Sequence, residues 1–529
     1  MKIKTGKIFV AIFALALILR FYQLGSIPQG LDWDEVSNSY NAYSILKTAR
    51  DEYGTLLPLT NRSFDDYKPP LYMYLEVPVV AFFDLSPFSA RLPSTLAGSA
   101  LTVLVYFLLK RLFGKENLAL LAMAFAAISP WLVHFSRVGF EANIGLFMAT
   151  ASFTSLMYAL PYTEETFSNK KKTLLLISAV FFGLTFYGYH SERIFVPLLF
   201  FASVLIYREE FLKIPKRLIS VFLIIVALLV IPFFVFTPSK AISSRLEETS
   251  KNATIKNIDQ SIVFIKEDNT APLSRIIHNR RIIYSLNYLK NYMSNFDINY
   301  LFTKGDDNLR HHIENMGMLY FVELPFLVYG LYLFVKEKTK SSIFILAWLL
   351  LSPVPAAPGN VAPHAIRSLT MVVALEVIIA YACLKVYDQI KWKKVYITAI
   401  LLAFSISLLV YLHNYYRHYS KDEASWWQYG YLPAVLRTEE LKNSYDRIII
   451  DPSVEQAYIF WLFGSKYDPQ SYQRNGTKEH FDKYYFGKIQ TLNPKDLLVT
   501  ANSLPPDFEI TGSINFPNGE KNILIGHPK

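Results

Sequence analysis

The chain has 529 residues, of which 52% are hydrophobic and 16% aromatic, and its mean hydropathy is positive. That excludes an ordinary soluble enzyme of this length, because the apolar excess is gathered into repeated long runs, the mark of a multi-spanning membrane protein. The net charge of +10 does not indicate nucleic acid: lysines and arginines cluster in short segments between apolar runs, where they encode topology.

The chain opens with "MKIKTGK" and then "IFVAIFALALILRFYQLG". No small-x-small cleavage site follows, so this is read as an uncleaved first span. A helix needs about 20 residues to cross the hydrocarbon core, with roughly 17 as a shorter limit. Eleven spans are expected, at 8–24, 92–109, 117–134, 143–160, 173–189, 194–207, 218–237, 319–335, 341–354, 369–387 and 395–412. The short ones at 194–207 and 341–354 are required by their flanks. The apolar stretch "PPLYMYLEVPVVAFF" at 69–83 contains Pro78 and Glu76, and is read as a surface helix, since spanning would invert the charge pattern.

With that topology the cytoplasmic segments hold twenty Lys and Arg, and the short outer turns hold three, Arg137, Arg193 and Arg367. The bias places the N-terminus in the cytoplasm. A first external loop then covers 25–91 and a second 238–318. Residues 413–529 form an extracytoplasmic module, expected to be α/β or α+β, with "DRIIID", "DLLVT" and "KNILIG" as strands and "VEQAYIFWLFG" as a helix. Cys383 is the single cysteine and lies in an apolar run, which excludes an intrachain disulfide and a thiolate metal cluster. There is no internal repeat and no low-complexity tract.

The spans carry few charges, Glu323 and Glu376 being the main exceptions, whereas ion-coupled transporters need ionisable groups near the midplane. Polar residues gather instead at the outer ends of spans: "LDWDE", "DDYKPP", "HFSRVGFEAN", "YHSER" and "PHAIRS". These turns offer the carboxylates Asp34, Glu35 and Glu141, the cations Lys68, Arg137, Arg193 and Arg367, and the polar rings Tyr67, His190 and His364. Fixed cations suit a phosphate, and a carboxylate facing it suits a general base for a hydroxyl or amine. The chemistry described is displacement at a carbon that bears a lipid-phosphate leaving group.

"DE" in the first external loop, "KPPLYMYL" some thirty residues later, and "SARLPSTLAGSALTVLVYFLLKRLFG" resemble glycosyltransferase family 39. That family includes the protein O-mannosyltransferases and lipid A aminoarabinose transferases, and "YHSERIFVPLL" and "APHAIRSL" extend the resemblance. It implies the mainly helical GT-C membrane fold and inverting transfer from a polyprenyl-phosphate monosaccharide. The acceptor would be an extracytoplasmic protein hydroxyl, lipid or envelope glycan, and membrane lipid the remaining partner. Asp34 matches the family's catalytic aspartate, Glu35 its neighbour, and Lys68 the lysine that binds donor phosphate. Where the family has an arginine followed by an aspartate, this chain has Arg137 and Glu141. The resemblance implies no cofactor, although a carboxylate-rich site leaves Mg²⁺ or Mn²⁺ open.

Plainer readings stand beside these. Asp34 is also a fitting N-cap for the helix after it, and Asp32 caps or solvates the loop. Lys68 also suits snorkelling to headgroups, Glu141 suits pairing with Arg137, and Arg193 and Arg367 suit lipid headgroups. "RHHIEN" at 310–315 resembles a metal-ligand cluster, but adjacent histidines rarely share one ion, so loop structure or acceptor contact is expected. "SWWQYG" at 425–430 is read as aromatic anchoring or domain packing, with sugar stacking as the alternative. The rival functions are a flippase for lipid-linked sugars and an oligosaccharide ligase or polymerase with a diphosphate donor.

Overall fold

The computed structural model describes residues 5–64, 66–161, 167–237, 255–269, 272–488 and 492–529. Asp65 of "DDYKPP", the first lysines of the N-terminal segment, and parts of the 161–172 segment and of the second external loop lie outside the described residues. The chain forms two compact units, Met1–Arg20 with Ala97–Ser136 and Glu141–Tyr411, and Phe21–Leu96 with Arg137–Phe140 and Leu412–Lys529.

The first unit is helical. Its helices include α1 (Thr5–Phe21), most of α4 (Pro87–Phe113), α5 (Glu116–Ile128), α6 (Pro130–Ser136), α7 (Glu141–Ala159), α8 (Asn169–Gly188) and α9 (Glu192–Ile206). Further helices cover Lys216–Phe236, Leu324–Glu337, Lys340–Leu351, Met371–Gln389 and Lys393–His413. Among the described residues, Pro87–Phe113, Asn169–Gly188, Lys216–Phe236 and Lys393–Asp422 are long and apolar enough to cross a membrane. Glu116–Ile128 with Pro130–Ser136 makes a fifth candidate, bent by 57°. The other expected spans are present as helices that are shorter or more polar. In α7, for example, Asn143, Thr150, Ser152 and Thr154 are all buried. A helix surrounded by other helices needs no continuous apolar surface.

The break between α5 and α6 follows from Pro130, which has no N–H to donate and ends the α5 ladder. The freed carbonyls are taken up by side chains. Arg20, fully buried on α1, donates to Ala126 O at 3.0 Å and Ala127 O at 2.9 Å, and Tyr320 Oη to Ile128 O at 2.7 Å. An irregular backbone at this depth is tolerated because protein groups satisfy it.

The second unit combines Phe21–Leu96 with the C-terminal module, Leu412–Lys529. Its helices α2 (Trp33–Thr48) and α3 (Leu71–Phe83) and a two-stranded ribbon, β1 (Asn61–Ser63) and β2 (Asp66–Lys68), share one core with the module. Val36, Tyr40, Ile45 and Met73 belong to the same buried cluster as Phe460, Trp461, Tyr484 and Ile525. At 13 residues, α3 is only ~20 Å long, short of the hydrocarbon core, and it packs on α2.

The module's six-stranded sheet contains β3 (Arg447–Ile450), β4 (His480–Phe481), β5 (Tyr484–Phe486), β6 (Asp496–Thr500), β7 (Phe508–Asn515) and β8 (Lys521–Pro528), in the order β4-β5-β3-β6-β8-β7. The expected strands are β3, β6 and β8, and the expected helix is Ala457–Gly464. β3 pairs in parallel with both β5 and β6, and its run Ile448–Ile450 is buried throughout, as suits a strand covered on both faces.

Candidate active site around the first external loop

The first turn of α2 carries three carboxylates with three different surroundings. Asp32 is the N-cap: its Oδ1 accepts from Asp34 N–H at 2.7 Å, while Glu35 Oε2 accepts from Asp32 N–H at 3.0 Å, closing a capping box. Capping therefore falls to Asp32 and leaves the Asp34 side chain for other work. Asp34 forms an ion pair with Lys68 Nζ. Lys68 is 4% exposed and Asp34 29%, so the lysine is held from below while the carboxylate remains reachable.

Local folding explains how residues so far apart in sequence meet. α2 is polar but buried, and its polar face is matched group by group, as burial requires. Asn61 Nδ2 donates to Asn38 Oδ1 at 2.8 Å and Ser63 Oγ to Ser37 Oγ at 2.8 Å, docking β1 on α2. β2 pairs with β1 in the register Asn61 to Lys68, which sets Lys68 over α2 beside Asp34. Tyr67 sits one residue away on the ribbon, opposite Arg62, and period-two alternation turns it from the face that carries Lys68.

Glu35 is fully buried. Its Oε1 accepts from Arg91 Nε at 3.0 Å and from Gly139 N–H at 2.7 Å. Arg91 donates further to the carbonyls of Leu24, Pro28 and Gly30, so the buried pair has its hydrogen-bonding capacity filled. Position 139 requires glycine: a Cβ would meet Ala90 O at 2.8 Å and Glu35 Cγ at 3.1 Å. Arg137 is buried too, donating to Ile27 O at 3.2 Å, with Tyr415 and Tyr416 5.2 and 5.3 Å from its guanidinium. Trp427 of "SWWQYG" is fully buried, donates to Tyr419 Oη at 2.9 Å and stacks near Phe140, which is packing within the unit.

Residues 67–236 match the family model for dolichyl-phosphate-mannose-protein mannosyltransferase. ArnT from Cupriavidus metallidurans in the apo state has a similar structure, with TM-score 0.57 and 11% identity over 99% of this chain and 98% of that one. Its form bound to undecaprenyl phosphate gives TM-score 0.54 and 12% identity over the same shares. The oligosaccharyltransferase AglB from Archaeoglobus fulgidus, in complex with an inhibitory peptide and a dolichol-phosphate, gives TM-score 0.50 and 13% identity over 87% of this chain. This chain spans 63% of AglB's length. Among curated proteins no sequence matches. The structural likenesses show the GT-C fold, and the family match is confined to residues 67–236.

The remaining candidates lie in the first, helical unit. Glu141 begins α7 and is buried. Arg193, at the start of α9, donates from Nε to Phe186 O at 2.8 Å, contacts His190 Nδ1 at 2.9 Å, and lies 4.3 Å from the centre of the Phe233 ring. His190 and Arg193 thus meet, and Arg193 closes the C-terminal end of α8. Arg367 is half-buried beside Gly359, where a Cβ would collide with its Nη1. His364 is half-buried and close to His311. The histidines of "RHHIEN" diverge: His312 turns to the carbonyls of Ile313 and Asp306, His311 to the Asp306 carboxylate.

Sequence reasoning missed Arg20, Arg91, Gly139 and Asp306. Arg91 carried a readable signal, an arginine at the entrance to an apolar run with no partner nearby in sequence. Arg20 and Asp306 acquire their partners only in the fold.

Proposed function

We propose that this multi-pass membrane transferase moves a monosaccharide from a polyprenyl-phosphate donor to an extracytoplasmic acceptor with inversion. The shorter helices also span, giving eleven crossings with the N-terminus cytoplasmic and the C-terminal module outside. The observation that carries the reading is the Asp34–Lys68 ion pair. Donor phosphate competes with Asp34 for the Lys68 ammonium, and its arrival releases the Asp34 carboxylate as a general base. The acceptor hydroxyl or amine gives its proton to Asp34 and bonds to the anomeric carbon from the face opposite the phosphate. The C1–O bond breaks, and the polyprenyl phosphate leaves with the electron pair, its charge held by Lys68. Glu35 and Arg137, enclosed as they are, act as positioning residues. The undecaprenyl phosphate bound by ArnT supports a lipid monophosphate.

An in vitro transfer assay with a polyprenyl-phosphate sugar tests this. Asp34→Asn is expected to lower turnover about 10²–10⁴-fold, the range for general-base removal, and Lys68→Ala to weaken donor use. Full turnover by either variant would refute the residue assignments, and release of polyprenyl diphosphate would identify the ligase chemistry instead. A broken helix is one feature a flippase predicts, and the α5–α6 bend is one. Its freed carbonyls are occupied by Arg20 and Tyr320, so the bend itself presents no open path. Lipid-sugar translocation in liposomes without acceptor chemistry would favour the flippase.

A further inference from the structure

Outside the transfer chemistry, the second external loop and the segment before Met371–Gln389 bring together three metal-ligating side chains. Asp306, His311 and His364 each offer one ligand atom, and these atoms lie within 4.8 Å of one another. Asp306 and His311 are buried, with His311 Nδ1 2.6 Å from Asp306 Oδ2. The His311 and His364 ring centres are 5.1 Å apart.

The donor set narrows the ligand. A divalent ion bound here displaces the proton shared by His311 Nδ1 and Asp306 Oδ2, which leaves both atoms as ligands. Two imidazoles with one carboxylate suit a borderline divalent ion, whereas Mg²⁺ and Ca²⁺ require mostly oxygen ligands. Ligands of a tetrahedral Zn²⁺ stand roughly 3.4 Å apart, so closing the observed spread needs side-chain shifts on the order of 1 Å. Ala365 N–H donates to Asp306 Oδ2 at 2.7 Å, and Tyr300 Oη meets Ser368 Oγ at 3.0 Å. The two segments are therefore already stitched together around an anionic ligand.

We infer that Asp306, His311 and His364 bind a single divalent ion of the Zn²⁺ class, which fastens the second external loop to the 355–368 segment that carries Arg367. The inference is independent of the sugar, the acceptor and the roles of Asp34 and Lys68. A metal-free His311–Asp306 knot is the competing account, and it predicts no uptake.

The test uses the full chain in detergent, stripped with a chelator and then given ZnCl₂. Wild type is expected to retain one equivalent of zinc by elemental analysis and to melt at a higher temperature than the stripped form. With Co²⁺ it is expected to show the visible absorption of a tetrahedral site. His364→Ala removes the half-buried ligand and leaves the Asp306–His311 pair intact. It is expected to melt like stripped wild type and to lose zinc uptake, thermal response and cobalt absorption. Zinc uptake by wild type no greater than that of His364→Ala, or an equal thermal response in both, would overturn the inference.

Discussion

Asp32 and Asp34 are two residues apart on one turn, and hydrogen-bond geometry separates their functions. Asp32 spends its carboxylate on the helix N-terminus, which favours negative charge there. Asp34 pairs instead with Lys68 and stays partly exposed. A third carboxylate of the same unit, Glu52, is almost fully buried. Burial is the main cause that pushes its carboxyl up to about 8, with Asp51 adding to it and Asn41 opposing. Folding therefore takes up a proton between about pH 4.5 and pH 8. The stability that belongs to the neutral carboxyl is complete below the unfolded value, and is lost as pH rises through the folded one. A tenfold difference in proton affinity between the folded and unfolded chain is worth about 1.4 kcal/mol. Glu52→Gln stays neutral throughout, so its melting temperature should fall less than wild type's from about pH 5 to pH 9. Parallel curves for the two proteins would show that Glu52 does not titrate in this window.

At the scale of elements, the α5–α6 break shows one proline and one distant arginine acting together. Pro130 ends the helix, and the buried Arg20 makes that ending tolerable by capping the carbonyls of Ala126 and Ala127. Arg20→Leu should therefore cost far more than loss of one surface charge, since each buried carbonyl left unpaired costs about 1–3 kcal/mol. Thermal unfolding in detergent measures this, and a melting temperature equal to wild type's would show that other groups satisfy the break. The β1–β2 ribbon has the corresponding part in the second unit. Its hydrogen bonds to Asn38 and Ser37 dock β1, the strand paired in register with the lysine's own, on α2.

For the whole molecule, the C-terminal module is not an appendage to the first external loop. Tyr40 Oη donates to Tyr467 O at 3.0 Å, and Gln473 Nε2 donates to Ser44, Thr48 and Asp51. Val36, Tyr40 and Ile45 share a core with Trp461 and Phe460. Ending the chain after Tyr411 removes that core, so α2 and the ribbon holding Asp34 and Lys68 should lose their fixed positions. Limited proteolysis is expected to cut the truncated protein within residues 25–91, where the full chain resists. Protection of that loop after truncation would show that it folds alone.

The amino-acid sequence by itself determined the membrane class, because long apolar runs and clustered Lys and Arg are one-dimensional signals. It also determined three of the six module strands and the candidate pair Asp34 and Lys68, each in a recognisable motif. The tertiary structure decided what depends on distance in space. It assigned capping to Asp32 instead of Asp34, enclosed Glu35 with Arg91 and Gly139, joined the first loop to the module, and set His364 beside His311. Helices such as α7 were legible as helices, but hydropathy understates them, since buried polar residues face neighbouring helices instead of lipid. Hydrogen-bond partners, unlike apolar periodicity, leave no trace along the chain until folding brings them within about 3 Å of each other.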